Sequence, residues 1–292
     1  MLSQYIANGL QAGSITALIG IGFLIIYRTS GFFHFAQGII LTLSAYSVFF
    51  LLATGQLNLP LISIIFAILF IYGFGLLMEA SIFQPLRGRG ASGTTLLIAS
   101  LGIYIVIQNS ISLLFGDDTL SFRWWSVKPG LPLLGARFTT PQIAIILCSW
   151  VILVLTWVFI RYSKIGKRIK AVANDPTLAR MVGIDVERIY LWAMGLGSAL
   201  GGIAGILIAC DTDIMPTMGM NPFMMGMVAA IIGGNTIWGT AAGALLLGMA
   251  KHIGIIWIPT RWQDAITFII LLGFLLFRPQ GFSGKRKRKA AV

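Results

Sequence analysis

Charge is scarce in this chain. Of its 292 residues only 10% are Asp, Glu, Lys or Arg, against about 25% in soluble domains, which excludes an ordinary water-facing surface. Only two histidines (His34, His252) and two cysteines (Cys148, Cys210) are present. Neither H-E-x-x-H nor paired-Cys metal spacing occurs, so no metal site or resident cofactor is read. Both cysteines fall inside apolar runs, where a thiol is a packing residue rather than half of a disulfide. There is no G-x-x-x-x-G-K-[ST], so the chain does not bind ATP by a P-loop. No ladder of acids, or of acids with His, crosses the apolar runs, which leaves a proton relay unsupported. Gly90-Ala91-Ser92-Gly93 matches the G-x-S-G of intramembrane serine proteases. However, it sits in a loop behind Arg87 and Arg89, and a nucleophile needs a positioned base. A glycine-rich turn ahead of a helix is the better reading, and no catalytic residue is assigned.

What the chain has in abundance is apolar length. It is 57% hydrophobic, with 34 Gly and 19 Phe, and its apolar runs recur near the 20 residues that cross a bilayer. The expected fold class is all-α, a polytopic transmembrane helical bundle. Residues 1–292 form a single transmembrane domain with a polar loop at 161–188 and a basic tail at 278–292. The spans read as 5–27, 32–53, 59–78, 94–115, 142–160, 188–209, 221–237, 239–257 and 262–277. The first is a retained span, since Tyr5 to Ile26 lacks a basic start and a small-residue cleavage site.

A net charge of +12 raises nucleic acid as a partner, but its placement argues for membrane topology instead. Thirteen of the 21 Lys and Arg lie in the 161–188 loop or in the tail from Arg278, the excess that marks a cytoplasmic face. The tail run Gly284 to Lys289 is drawn to anionic lipid headgroups. With loop and tail inside, Arg28, Arg87 and Arg89 also fall inside, and Asp211 and Asp213 outside. The number of spans between loop and tail is then even, which favours nine over eight. The alternative turns on whether Gly233, Gly234 and Gly239 make a turn or a broken helix. Spans one to four start outside and six to nine inside, so a duplication would be inverted.

Between the spans, the outer loop Gly116 to Pro141 carries Trp124, Trp125, Pro129 and Pro132. It reads as an interfacial hairpin or as a docking surface for an external partner. Gly197, Gly201 and Gly205 share one helix face, and Gly239 and Gly243 repeat the spacing. Such faces let backbones approach closely in lipid. Polar groups within spans face a cavity, a partner helix or the interface. His34, Gln37, Gln108 and Asn109 are therefore candidates for a translocation path. For the amides an interhelical hydrogen bond is an equal alternative.

The 161–188 loop is the longest polar interruption, with seven Lys/Arg and three acids. Within it Asp175 suits an N-cap, Pro176 the first helical position and Gly183 the left-handed residue that closes a helix. A short helix from Pro176 to Val182 results. It is too short to be stable alone, so it needs something to pack against.

Several stretches resemble permease subunits of bacterial branched-chain amino acid ABC importers of the LivH type, with urea and amide importers as close relatives. They are IYRTSGFFHFAQGIILTLSAY, QPLRGRG with LLIASLGIYIVIQN, IRYSKIGKRIKAVANDPTLARMVGID, AAIIGG with GTAAGALLLG, and FRPQGFSGK. Where the family carries N-F-A-H-G, His34 and Gln37 stand in place of its Asn and His, and Ser44 replaces a usual Gly. The resemblance implies a subunit of the bacterial inner membrane, multi-pass, with its C-terminus cytoplasmic, and not itself an enzyme. It implies as partners a second homologous permease, two ATP-binding cassette ATPases and an extracytoplasmic substrate-binding protein, besides membrane lipids. Asp175, Pro176, Thr177, Arg180 and Gly183 would couple it to the ATPases, with Arg180 reaching an ATPase or a lipid phosphate. A urea or amide importer, or an ion-coupled secondary transporter, are the alternative functions.

Overall fold

Backbone groups have no water to bond inside a bilayer, so apolar runs of this length become α-helices. The computed structural model describes residues 2–53, 59–121, 130–133, 136–234, 236–256, 259, 262–277 and 281–282. In order these form α1 (Leu2–Ser30), α2 (Gln37–Ala53), α3 (Pro60–Met78), a π-helical turn (Glu79–Phe83), α4 (Gln84–Gly88) and α5 (Gly93–Phe115). A short hairpin of β1 (Leu131–Leu133) and β2 (Ala136–Phe138) precedes α6 (Thr140–Tyr162), α7 (Lys164–Asn174) and α8 (Pro176–Met181). The chain continues through α9 (Val186–Asp211), α10 (Met220–Gly233), α11 (Ile237–Gly254) and α12 (Gln263–Phe277). Each expected span has its helix. Among the described residues five stretches, α1, Pro60–Gly88, α5, α6 and α9, are long and apolar enough to cross a membrane.

The loops gather at two ends of the bundle. At one end Arg28 of α1 and Lys170 of α7 line the same cavity as Thr236 and Ile237, and Arg87 of α4 lies over Tyr190 near the start of α9. At the other, Gln4 exchanges two hydrogen bonds with the backbone of Arg137, and Leu120 bridges Ile214. The 116–141 loop thus contains a hairpin held against the start of α1. Trp124, Trp125 and Pro129 lie outside the described residues, as does the tail 278–292 apart from Gly281 and Phe282.

The helices at the centre are α1 and α9, with 78% and 67% of their most apolar stretches buried, against 28% for Pro60–Gly88 and 22% each for α5 and α6. They cross antiparallel, Gly22 and Ile26 meeting Gly197. Their partners are exchanged between the two parts of the chain: α1 packs on α10 and α11, while α9 packs on α2 and α3.

Two helices begin inside the bundle rather than at its edge. The expected span 32–53 is helical only from Gln37, because Gly31 turns left-handed at φ 76° and ends α1. Residues 32–36 run irregularly, with Phe35 N–H donating to Ser100 Oγ of α5 at 3.0 Å. Irregular backbone at membrane depth is tolerated where protein covers it. Gln37, the first residue of α2, lies beside Gly197 and Gly201, about halfway along α9. The start of α10 meets the start of α2, where Gly219 N–H donates to Thr42 Oγ1 at 3.1 Å. Gly234, left-handed at φ 68°, turns the chain from α10 into α11. That turn is stitched from outside, since Phe282 N–H donates to Ile232 O at 2.8 Å and its ring packs on Phe274.

Candidate functional site

The basic end of the bundle is built around α8. Asp175 caps it, its Oδ1 accepting from Thr177 N–H at 2.8 Å and Leu178 N–H at 3.0 Å. Pro176 opens the helix. At the other end Gly183 takes φ 80°, its N–H bonds Arg180 O, and Ile184 N–H bonds Ala179 O, both at 3.0 Å. These two bonds together are the Schellman closure. Both ends of a six-residue helix are therefore fixed by the residues the sequence singles out. Val182 serves as the cap residue rather than as the last helical one.

The outward face of α8 is not among the features that caps and charges single out. Only Ala179 is buried, whereas Leu178, Met181 and Val182 are 60%, 77% and 75% exposed. Their spacing (i, i+3, i+4) puts them on one face, and that spacing is the available signal. Arg180 donates to Glu187 Oε1 at 3.0 Å, across the loop to α9, with its side chain 62% exposed. The preceding α7 is likewise an addition to the sequence reading. Its turn from α6 is capped by Ser163, whose Oγ accepts from Gly166 N–H at 2.8 Å. A Cβ on Gly166 would meet Ile160 Cα at 2.5 Å, so only glycine lets α7 fold back this tightly.

Beside α8 lies a second polar group. Glu79, in the π-helical turn, is fully buried and forms an ion pair with Arg87 of α4. The Arg87 guanidinium also stacks over the Tyr190 ring, 4.0 Å from its centroid. Glu187, Tyr190, Arg87 and Arg180 share a cleft of ≈ 680 Å³. Charges from α4, α8 and α9 thus converge at one place, although they are far apart in sequence. π-turns inside helices are frequent at functional sites.

The path candidates separate into two pairs. His34, on the bend before α2, and Gln37, the first residue of α2, are fully buried. The His34 ring stands edge-on to Phe32 and Phe83, and among the described residues neither ring nitrogen has a partner. Gln37 Nε2 donates to Gly197 O at 2.8 Å, the interhelical bond weighed for the amides. Gln108 is half-buried on α5 and Asn109 is exposed, its Nδ2 donating to Ile105 O of its own helix at 2.8 Å. Ser92, the serine of the G-x-S-G match, is the N-cap of α5. Its Oγ accepts from Thr95 N–H at 3.3 Å.

Comparison with known proteins agrees with this architecture. Residues 5–275 match the family described as branched-chain amino acid transport system / permease component. The chain is 28% identical to the high-affinity branched-chain amino acid transport system permease protein LivH of Salmonella typhimurium, over 97% of this chain and 95% of that protein. It is 29% identical, with the same coverage, to LivH of Escherichia coli K12 and to the high-affinity permease protein BraD of Pseudomonas aeruginosa. No solved structure matches. The chain is a multi-pass membrane protein and belongs to the permease component family of branched-chain amino acid transport systems.

Proposed function

We propose that this chain is the translocation subunit of an ATP-driven importer of branched-chain amino acids in the bacterial inner membrane, with α8 as the element that receives the force. The observation that carries the reading is α8 itself: a helix fixed at both ends, with Leu178, Met181 and Val182 turned off the chain. Two ATP-binding cassette ATPases supply the hydrolysis, and an extracytoplasmic binding protein delivers the solute. The end carrying Arg28, Arg87 and α8 faces the cytoplasm, by the positive-inside rule.

The mechanism follows from rigidity. Leu178, Met181 and Val182 seat in a groove of the ATPase, with Thr177 and Arg180 at its rim. When the ATPases close on each other, α8 moves as one body, because Asp175, Pro176 and Gly183 hold its ends. Its displacement passes to α9 through the Arg180–Glu187 pair, and to α3 through Tyr190, Arg87 and Glu79. A second, homologous permease packs against α5. Gly102 on that helix has no heavy atom within 4 Å of the place a Cβ would occupy, which suits close approach of a partner helix. Gln108 and Asn109 line the path between the two subunits, while His34 and Gln37 hold the buried bend behind it.

The test is ATP-dependent uptake of labelled leucine by the reconstituted complex, beside the ATPase activity that substrate stimulates. Replacing Asp175 with Ala removes a cap worth about 1 kcal/mol, and Met181→Glu charges the outward face. Both should lower uptake and stimulation together at unchanged complex abundance. Stimulation that survives both substitutions would remove α8 from the coupling role. Uptake of urea in place of leucine would move the chain to the amide importers.

A further inference from the structure

A second cavity, of ≈ 230 Å³, opens at the basic end between α1, α6, α7 and the start of α11. Its lining is divided. Arg28 of α1 and Lys170 of α7 bring two cations to it, while Ile160 and Ile169 belong to its apolar wall. Two tryptophans, Trp157 and Trp238, also line it and meet edge to face at 5.9 Å. Arg161 stands over the Trp157 ring at 5.0 Å. Tryptophan is enriched at the headgroup level of membrane proteins, and the guanidinium over its face makes a cation–π contact.

The helix that closes the cavity is itself interfacial in character. On α7, Gly166, Ile169 and Val172 are buried, whereas Lys164, Lys167, Arg168 and Lys170 are exposed. An amphipathic helix with a basic outer face lies in the plane of the interface. With Arg28 and Lys170 at its rim and isoleucines and tryptophans on its wall, the cavity suits a ligand with an anionic group and an aliphatic part. Free phosphate has the first and lacks the second.

We propose that this cavity is a binding site for an anionic glycerophospholipid, its phosphate held between Arg28 and Lys170 and its acyl chains leaving along Trp157 and Trp238. Basic pockets between helices at the cytoplasmic level bind such headgroups. The proposal rests on the reading of this end as the cytoplasmic one. Its consequence is mechanical. α7 runs into α8 through Asp175 alone, so a lipid that fixes α7 also fixes the base of the moving helix.

The experiment uses the complex of this chain with its permease partner and ATPases, purified and placed in nanodiscs of phosphatidylcholine with and without phosphatidylglycerol. Native mass spectrometry reads retained phosphatidylglycerol, and substrate-stimulated ATPase activity reads coupling. Wild type should retain the anionic lipid. Lys170→Gln should weaken retention about fivefold, and the Arg28→Gln, Lys170→Gln pair by about thirtyfold, from roughly 1 kcal/mol per cation near the surface. A Lys164→Gln, Lys167→Gln control removes the same charge outside the cavity and should retain the lipid. Equal loss in the control would reduce the effect to general surface charge and overturn the site. Displacement of the lipid by inorganic phosphate would leave an anion site only, and would also overturn the proposal. Because retention is read without transport, failure of the coupling mechanism leaves this result interpretable.

Discussion

The two most buried spans and the exposed α6 differ in a way that reverses the rule for soluble proteins. Over its most apolar 18 residues α6 has a mean hydropathy of 2.8 and is 22% buried, whereas the corresponding stretches of α1 and α9 stand at 1.9 and are 78% and 67% buried. In lipid, burial between helices is not driven by escape from water, so close backbone approach decides which helix goes inside. Glycine supplies it: Gly205 lies against the backbone of Leu41, Gly20 against Gly226, and Gly9 and Gly13 against α11. α5 breaks the correlation. Its most apolar 18 residues are as exposed as those of α6 but have a hydropathy of only 1.8, and its open face carries Gly102, Asn109 and Ser110. Set among the exposed Ile98, Ile105 and Val106, this small and polar stripe supports the proposal that the helix meets another protein.

The strongest way to break this comparison is to fill an inner contact. In Gly205→Leu even the first added carbon collides with Leu41 O, a backbone atom that cannot swing aside. The expected cost exceeds the usual ~1–3 kcal/mol of overpacking, and no monodisperse peak should survive in size-exclusion chromatography. Gly102→Leu on α5 is the matched outer change. The chain should fold as wild type, but assembly with the second permease, read by co-purification, should fall.

Next comes charge. Glu79→Ala removes the buried counter-ion of the half-buried Arg87 and leaves Glu187 beside it in the cleft, a loss short of the about 3–5 kcal/mol of a fully buried pair that a thermal shift of the purified complex would register. By contrast, Glu187→Ala breaks an exposed pair and should cost less than about 1 kcal/mol while still lowering stimulated ATPase activity. The smallest effect belongs to the outer helix. Leu147 of α6 is 60% exposed, and Leu147→Ala should change stability by no more than about 0.5 kcal/mol. A large loss there would show that α6 is covered in the assembly and would redraw the inner and outer sets.

How much of this is legible in the sequence depends on range. α8 is read from Asp175, Pro176 and Gly183 because caps are local chemistry. The packing role of Gly197, Gly201 and Gly205 is read from their spacing, but which helix each meets is not. α7 is readable too, since Ile165, Ile169 and Val172 recur at helical spacing, but its lysines make it look like plain loop. The Glu79–Arg87–Tyr190 group joins elements whose proximity only the fold supplies. The late start of α2 is hidden for another reason. Phe32, Phe33 and Phe35 are as apolar as any helix, and only Gly31 marks the break.

The contact of Phe282 with Ile232 has a consequence for biogenesis. The turn between α10 and α11 emerges from the ribosome before the segment that seals it. Until α12 has been made and inserted, Ile232 O and the neighbourhood of Gly234 stay open. Completion of the hairpin therefore waits on the synthesis of α12 and of the residues just beyond it.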